Sequence, residues 1–299
     1  MNKYITIIAA FFLGTQAFGQ EVYLNQKPPG LESEVFAPNI VSLPGQHEYG
    51  SVFSADGLEF FYAISKDGKN EILTLKFANG NWGKLETILT HKTYSYNDPM
   101  LSPNGKRLYF ISDQPLDGKG NVKDYDIWYV EREGEFWTKP INVGTAINSE
   151  KNEYYISFSA EGALYFSSNK NADEGKNYNY DIYSSQHKNG EFSSPIKLDT
   201  VINTGRYEAD VFISPDEDYM IFCAIRKEGM GQGDLYISFK DENDHWTPAV
   251  NMGSKINNEL HQLCPFVTAD GKYFFFTSNQ DIYWVDAQII DSYGTDKDK

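Results

Sequence analysis

A four-residue turn returns five times along this chain, and its spacing limits the fold more than any other feature. The copies are Ser54-Ala55-Asp56-Gly57, Ser102-Pro103-Asn104-Gly105, Ser159-Ala160-Glu161-Gly162, Ser214-Pro215-Asp216-Glu217 and Thr268-Ala269-Asp270-Gly271. They stand 48, 57, 55 and 54 residues apart. After each turn comes an aromatic run: Phe60-Phe61-Tyr62, Leu108-Tyr109-Phe110, Leu164-Tyr165-Phe166, Met220-Ile221-Phe222 and Phe274-Phe275-Phe276. A third run opens at Asp126-Ile127-Trp128, Asp181-Ile182-Tyr183, Asp234-Leu235-Tyr236 and Asp281-Ile282-Tyr283, with Glu71-Ile72-Leu73 as its divergent copy. A fourth begins near Trp82, Trp137, Phe192 and Trp246. Short runs rich in aromatic and β-branched residues, punctuated by Gly, Asn and Asp turns, read as antiparallel strands. Four of them make a small sheet that cannot bury its apolar face alone, so neighbouring units must stack, and a period near 50 is that of a β-propeller.

The fifth unit runs out of chain after its third strand, around Ile289 and Ile290. A spare strand is available at the other end. Residues 34–43 (EVFAPNIVSL) have no turn-mate before the first repeat, and Pro38 is aligned with Pro140 and Pro195 of other fourth strands. Pairing the two removes the free sheet edges of an open array. The expected fold is therefore all-β, a five-bladed β-propeller of four-stranded antiparallel blades whose last blade is closed by the N-terminal strand. It occupies residues 34–290 as one domain, with repeats at about 46–90, 94–148, 152–203, 206–257 and 259–290. Pro99 and Pro265 fall in first strands, where a missing N–H is tolerated only on a free edge, here the edge facing the channel.

The flanks have other roles. Residues 1–19 combine a basic start at Lys3, an apolar run over residues 5–13 and the small-residue site Ala17-Phe18-Gly19, the pattern of a secretory signal peptide. That run is too short to span a bilayer, and no transmembrane segment is expected in the mature chain. Residues 20–33 form a lead-in and 291–299 a polar tail. No Cys follows the apolar run, which argues against a lipid anchor. The formal net charge of −16 disfavours nucleic acid and anionic membrane as partners, since both call for basic patches. The expected location is periplasmic or secreted. Cys223 and Cys264 belong to neighbouring sheets about 10 Å apart, beyond disulfide reach, so both are expected as buried thiols.

The combination Ser-Pro-Asx-Gly, Leu-Tyr-Phe-x-Ser, Asp-Ile-Tyr and Trp-x-x-Pro resembles the WD40-like (PD40) repeat of the TolB-type β-propeller family, best in the second to fourth units. True WD40 repeats would bring a Trp-Asp dipeptide and kelch repeats a Gly-Gly pair, and neither occurs. The resemblance implies an exported bacterial binding module, often part of envelope assemblies, and it implies no reaction. The motif residues themselves read as scaffold.

Strands running up and down place the second-to-third loops, the links between blades and the starts of the first strands on one face, around the channel mouth. Any ligand site is expected there. Loops 112–123 and 169–179 are long and polar, 226–233 is intermediate, and the remaining two are tight. Counting back from each turn Ser or Thr aligns the first strands. Six places back are Glu48, Tyr96, Glu153, Glu208 and Gln262; four back are Gly50, Asp98, Tyr155, Asp210 and Cys264. Seven back, His47 and His261 belong to neighbouring blades. Glu48, Asp98, Glu153, Glu208 and Asp210 are the candidate ligand-binding residues. Converging carboxylates suit a basic peptide or a cation, or an acid/base pair. The same spacing also allows each Glu to accept hydrogen bonds from the link before it.

No catalytic residue is expected. There is no Gly-x-Ser-x-Gly, neither Cys has a catalytic context, and Asp126 and Asp181 open equivalent strands in different blades rather than forming a metal pair. No cofactor or metal is expected either. The leading reading is a non-enzymatic scaffold that binds protein or peptide in the bacterial cell envelope through its loop-rich face. The alternative is a carbohydrate-active propeller, a glycosidase using the mouth carboxylates or a glycan binder using Tyr125, Tyr178 and Tyr180.

Overall fold

The computed structural model describes residues 23–172 and 178–294. The expected signal peptide and the last five residues of the polar tail lie outside it. Five antiparallel sheets follow the five turns. Blade 1 has its inner strand at His47–Phe53, then Glu59–Lys66, Lys69–Ala78 and an outer strand Glu86–Leu89. Blade 2 has Tyr96–Leu101, Arg107–Ser112, Asp126–Glu133 and Ile141–Asn142. Blade 3 has Glu153–Phe158, Leu164–Ser168, Asp181–Ser185 and Ile196–Lys197. Blade 4 has Tyr207–Ile213, Tyr219–Ile225, Asp234–Phe239 and Val250–Asn251. Blade 5 takes Gln262–Val267, Tyr273–Ser278 and Asp281–Asp286 from the C-terminal end and Glu34–Val35 from the N-terminal end. Each inner strand lies against the next around a circle, and that of blade 5 lies against that of blade 1. The ring is closed.

Closure takes less chain than the sequence suggests. Glu34 and Val35 pair with Trp284 and Tyr283, and the Phe36 N–H donates to the Ile282 carbonyl at 2.8 Å. The same last bond is made by Val143 to Ile127, Leu198 to Ile182 and Met252 to Leu235. Pairing therefore ends at Phe36 and not at residue 43, and Pro38 is not equivalent to Pro140 and Pro195, which precede their outer strands. Residues 37–43 turn instead into the link to blade 1, with Ile40 and Val41 N–H groups donating to the Ala37 carbonyl. What fastens the closure is aromatic packing. Phe36 is fully buried, with ring centroids 5.0 Å from Phe275 and Trp284, 5.4 Å from Phe60 and 5.9 Å from Phe53, all edge to face.

Two other departures have local causes. Trp82, Trp137 and Phe192 do not open the outer strands; they fold back onto the tip of the third strand, pairing with Phe77, Arg132 and His187. In blades 2 and 3, Pro140 and Pro195 then interrupt the ladder before the outer strand resumes, because proline has no N–H to give it. At the C-terminus the third strand ends at Asp286, and Ala287–Tyr293 forms a 3-10 helix that buries Ile289 and Ile290. In the turns themselves the Ser hydroxyl receives the N–H five residues on, as at Ser54–Glu59 (2.9 Å) and Ser102–Arg107 (3.0 Å). In blade 4 Glu217 stands in the glycine place at φ +58°.

Candidate functional site

Four of the residues six places before the turn are wholly buried, and they hold the links between blades. Glu153 accepts the Ser149 N–H at 3.0 Å and the hydroxyls of Ser149 (2.7 Å) and Ser168 (2.8 Å). Glu208 accepts the hydroxyl and N–H of Thr204. Glu48 accepts the Leu43 N–H at 3.1 Å. Gln262 does the same work in blade 5, accepting from Asn258 N–H at 3.2 Å and donating to Ser278 at 3.0 Å. Burial pushes the Glu48 and Glu153 carboxyls up to about 7 and moves Glu208 upward too. None of the three glutamates lines a cavity at the channel mouth. The link ends just before each inner strand, so the nearest donors are its own backbone and hydroxyls, and these draw the carboxylates away from the channel.

The Asn of each Ile-Asn pair completes this frame. Asn148, Asn203 and Asn257 each accept the N–H and donate to the carbonyl of one third-strand residue, Ile127, Ile182 and Leu235, at 2.7–3.0 Å. Side-chain amides so placed mimic a missing strand.

The residues four places before the turn behave differently. Gly50, Asp98, Tyr155, Asp210 and Cys264 all have positive φ, between +46° and +59°. Every inner strand has a bulge there. A bulge adds a residue and breaks the two-residue alternation of a strand. Without it the fourth place would share the buried side of the sixth. With it, Asp98, Asp210 and Cys264 come round to the channel. Crowding at this ring is tight: a Cβ on Gly50 would stand 3.0 Å from both Cα and Oδ1 of Asp98. Tyr155 spans the channel, its hydroxyl donating to the Pro265 carbonyl at 2.9 Å.

Above this ring the loop-rich face opens into a cavity of about 620 Å³. The fifth place before the turn lines it in every blade, as Tyr49, Asn97, Tyr154, Ala209 and Leu263, and the seventh adds Tyr207 and His261. Loops bring Tyr125, Tyr178 and Tyr180. A continuous chain of rings runs along the wall: Tyr125 to Tyr154 (5.2 Å between centroids), Tyr154 to Tyr180 (5.4 Å), Tyr180 to Tyr207 (5.8 Å) and Tyr207 to His261 (6.2 Å). Asp98 and Asp210 are 7% and 9% exposed. Burial, then the neighbouring Asp210 charge, pushes the Asp98 carboxyl up to about 8; burial pushes Asp210 up to about 7 against the opposing Cys264 N–H. Among the described residues no lysine or arginine lines this cavity.

The five carboxylates picked out by sequence thus divide. Asp98 and Asp210 meet at the mouth, while Glu48, Glu153 and Glu208 stay in the frame. Strict alternation from the buried glutamates points to the tyrosines at the fifth and seventh places, Tyr49, Tyr154 and Tyr207, which the search for carboxylates does not reach. The two histidines do not share a site: His47 borders a separate cavity with Asp281, and His261 lies 3.2 Å from the Cys223 sulfur inside the mouth. Both cysteines are buried and free, and burial holds both thiols well up and the His261 imidazole down. Among the described residues, no three His, Cys, Asp or Glu side chains come together as a metal site. The opposite mouth is a cavity of about 760 Å³ bounded by the turns, by the apolar Val52, Leu101, Phe158, Phe212 and Phe266, and by the charged Asp56, Glu59, Lys106 and Arg132.

Neither a protein-family model nor a curated protein sequence matches this chain. Solved structures do. A protein of unknown function from Dyadobacter fermentans is 14% identical with a TM-score of 0.50, over 88% of this chain and 84% of its own. TolB from Acinetobacter baumannii is 13% identical with a TM-score of 0.49, over 79% of this chain and 53% of its own. A gluconolactonase from Xanthomonas campestris is 11% identical with a TM-score of 0.46, over 79% and 70%. This chain therefore spans about half the length of TolB. At 14% identity and a TM-score of 0.50, the likeness to the Dyadobacter protein shows a shared fold alone.

Proposed function

We propose that this chain is an exported, non-enzymatic β-propeller that binds a protein or peptide segment of the bacterial cell envelope in its loop-face mouth. The observation that carries the reading is the cavity itself, walled by six tyrosines and based on two buried aspartates. Tyrosine offers large contact area at small entropic cost and a hydroxyl for orientation, which is why it recurs at binding surfaces. Of the five candidate carboxylates, we assign ligand contact to Asp98 and Asp210 and a frame role to Glu48, Glu153 and Glu208. Export is inferred from residues 1–19, and the likeness of the repeats to PD40 motifs supports an envelope setting. No helix among the described residues is long and apolar enough to cross a membrane.

A photo-crosslinking residue at Tyr178 or Tyr125 should join the protein to one defined polypeptide in living cells, and one at Lys106 or Ala160 on the turn face should not. Crosslinks from the turn face alone would overturn the assignment. The carbohydrate reading retains one supporting observation, since the same ring-lined wall would suit sugar stacking. Release of reducing ends from envelope or plant polysaccharides, lost on Asp98→Asn, would favour it instead.

A further inference from the structure

Resting on the reading of the mouth as the partner site, we propose that its occupant is a positively charged side chain, a lysine ammonium or an arginine guanidinium, held between Asp98 and Asp210 and against the rings of Tyr49, Tyr154 and Tyr207.

The acids of this protein set the contrast. Buried carboxylates normally find donors, and Glu153 does so with both oxygens, which accept from Ser149 and Ser168. Asp98 is more than nine-tenths buried, borders the cavity and has one polar contact among the described residues, the Cys264 thiol at 3.8 Å. Two acids with no internal cation beside them repel each other and lose hydration without compensation. The cavity they face is lined by phenol rings, whose negative faces attract cations by about 0.5–2 kcal/mol each when water is excluded. An anion would meet the acids unfavourably, and a neutral group would leave the carboxyls protonated, without the charge pairing that a cation supplies. A metal ion lacks a third ligand group among the described residues. The formal charge of −16 favours a basic partner at the stage of encounter.

Capture must also move protons. The empty site favours protonated carboxyls near neutral pH, whereas a seated cation favours ionised ones, so binding releases protons. The other titratable groups facing the pair are Cys264, His261 and the cavity tyrosines. Burial lifts the Cys264 thiol and the Tyr49, Tyr154 and Tyr207 phenols far above neutrality and holds His261 below its usual value. Of the groups that face the cavity, the two aspartates respond between pH 6.5 and 8; Glu48 and Glu153, which also lie near 7, stay in the frame.

The test uses the mature chain and isothermal titration at pH 7 in two buffers of different ionisation enthalpy. The probes are capped Gly-Lys-Gly and Gly-Arg-Gly peptides, the norleucine counterpart, and n-butylammonium. The lysine or arginine peptide should bind at least tenfold more tightly than the norleucine one, with proton release. In D98N/D210N its affinity should fall at least tenfold and proton release should vanish, while the melting temperature holds or rises. Equal binding of the lysine and norleucine peptides, or capture without proton release, would overturn the proposal. If Tyr154→Ala then abolishes both, the mouth remains the partner site and only the cation is wrong. Butylammonium binding as tightly as the peptides would assign the cavity to a small free amine and overturn the side-chain form. Partner crosslinks confined to the turn face would remove the functional reading itself, whatever the amines do.

Discussion

Replacing Phe36 with alanine is the sharpest test of how the ring is closed. The residue makes the last hydrogen bond of the outer strand in blade 5 and packs edge to face on four aromatic rings drawn from blades 1 and 5. A buried Phe→Ala change costs about 3–5 kcal/mol, a measured range that already contains the lost ring contacts, so a loss near 4 kcal/mol is expected. Domains are stable by only about 5–15 kcal/mol. With a urea dependence of about 3 kcal/mol per molar, the midpoint should fall by about 1.3 M. Loosening Glu34–Val35 would also bare the Asp281–Asp286 edge, so light scattering should rise below the unfolding transition. Phe136, which is 77% exposed, is the control, and its alanine variant should stay within about 0.5 kcal/mol of the parent. If Phe36→Ala moves the midpoint by less than about 0.3 M with an unchanged slope, the N-terminal segment is not what closes blade 5.

Three further outcomes follow from the frame and the mouth. Asn203→Ala strands the buried Ile182 N–H, while the Ile182 carbonyl keeps the Leu198 N–H, and should cost about 1–3 kcal/mol by urea titration, with the same result at Asn148 or Asn257. Glu153→Gln should stay within about 1 kcal/mol because Gln262 already fills the equivalent place, whereas Glu153→Ala should cost about 1–3 kcal/mol; equal losses for the two would contradict the link-holding role. Asp98→Asn should gain stability over the parent as pH rises. The native Asp98 carboxyl is raised from 3.8 to about 8, so the folded state holds its proton more tightly than the unfolded chain does. That contribution is complete below about pH 4 and is lost toward pH 8, by at most about 1.4 kcal/mol per pH unit. Urea midpoints at pH 5 and pH 8.5 should therefore diverge between parent and variant, and parallel curves would show that Asp98 is not held protonated.

The blade count, the order of strands and the borrowing of an N-terminal strand were all legible in one dimension. Turn chemistry and aromatic runs are local, and a period near 50 permits few ways to bury the exposed faces. The glutamates' link-holding role was also within reach, because Asn148 to Glu153 and Asn203 to Glu208 share one spacing. What the sequence could not decide was which carboxylates face the channel. In a regular strand the fourth and sixth places before the turn lie on one side, and Asp98 and Glu48 would then be alike. A positive φ at one residue per inner strand separates them, and nothing in the residue types Gly, Asp, Tyr, Asp and Cys announces it. The bulge is favoured because five inner strands crowd around one axis, as the space beside Gly50 shows, and that constraint exists only once the ring has closed. Likewise the reach of the closing strand was decided by the aromatic seam at Phe36, a contact between residues some 240 positions apart in the chain.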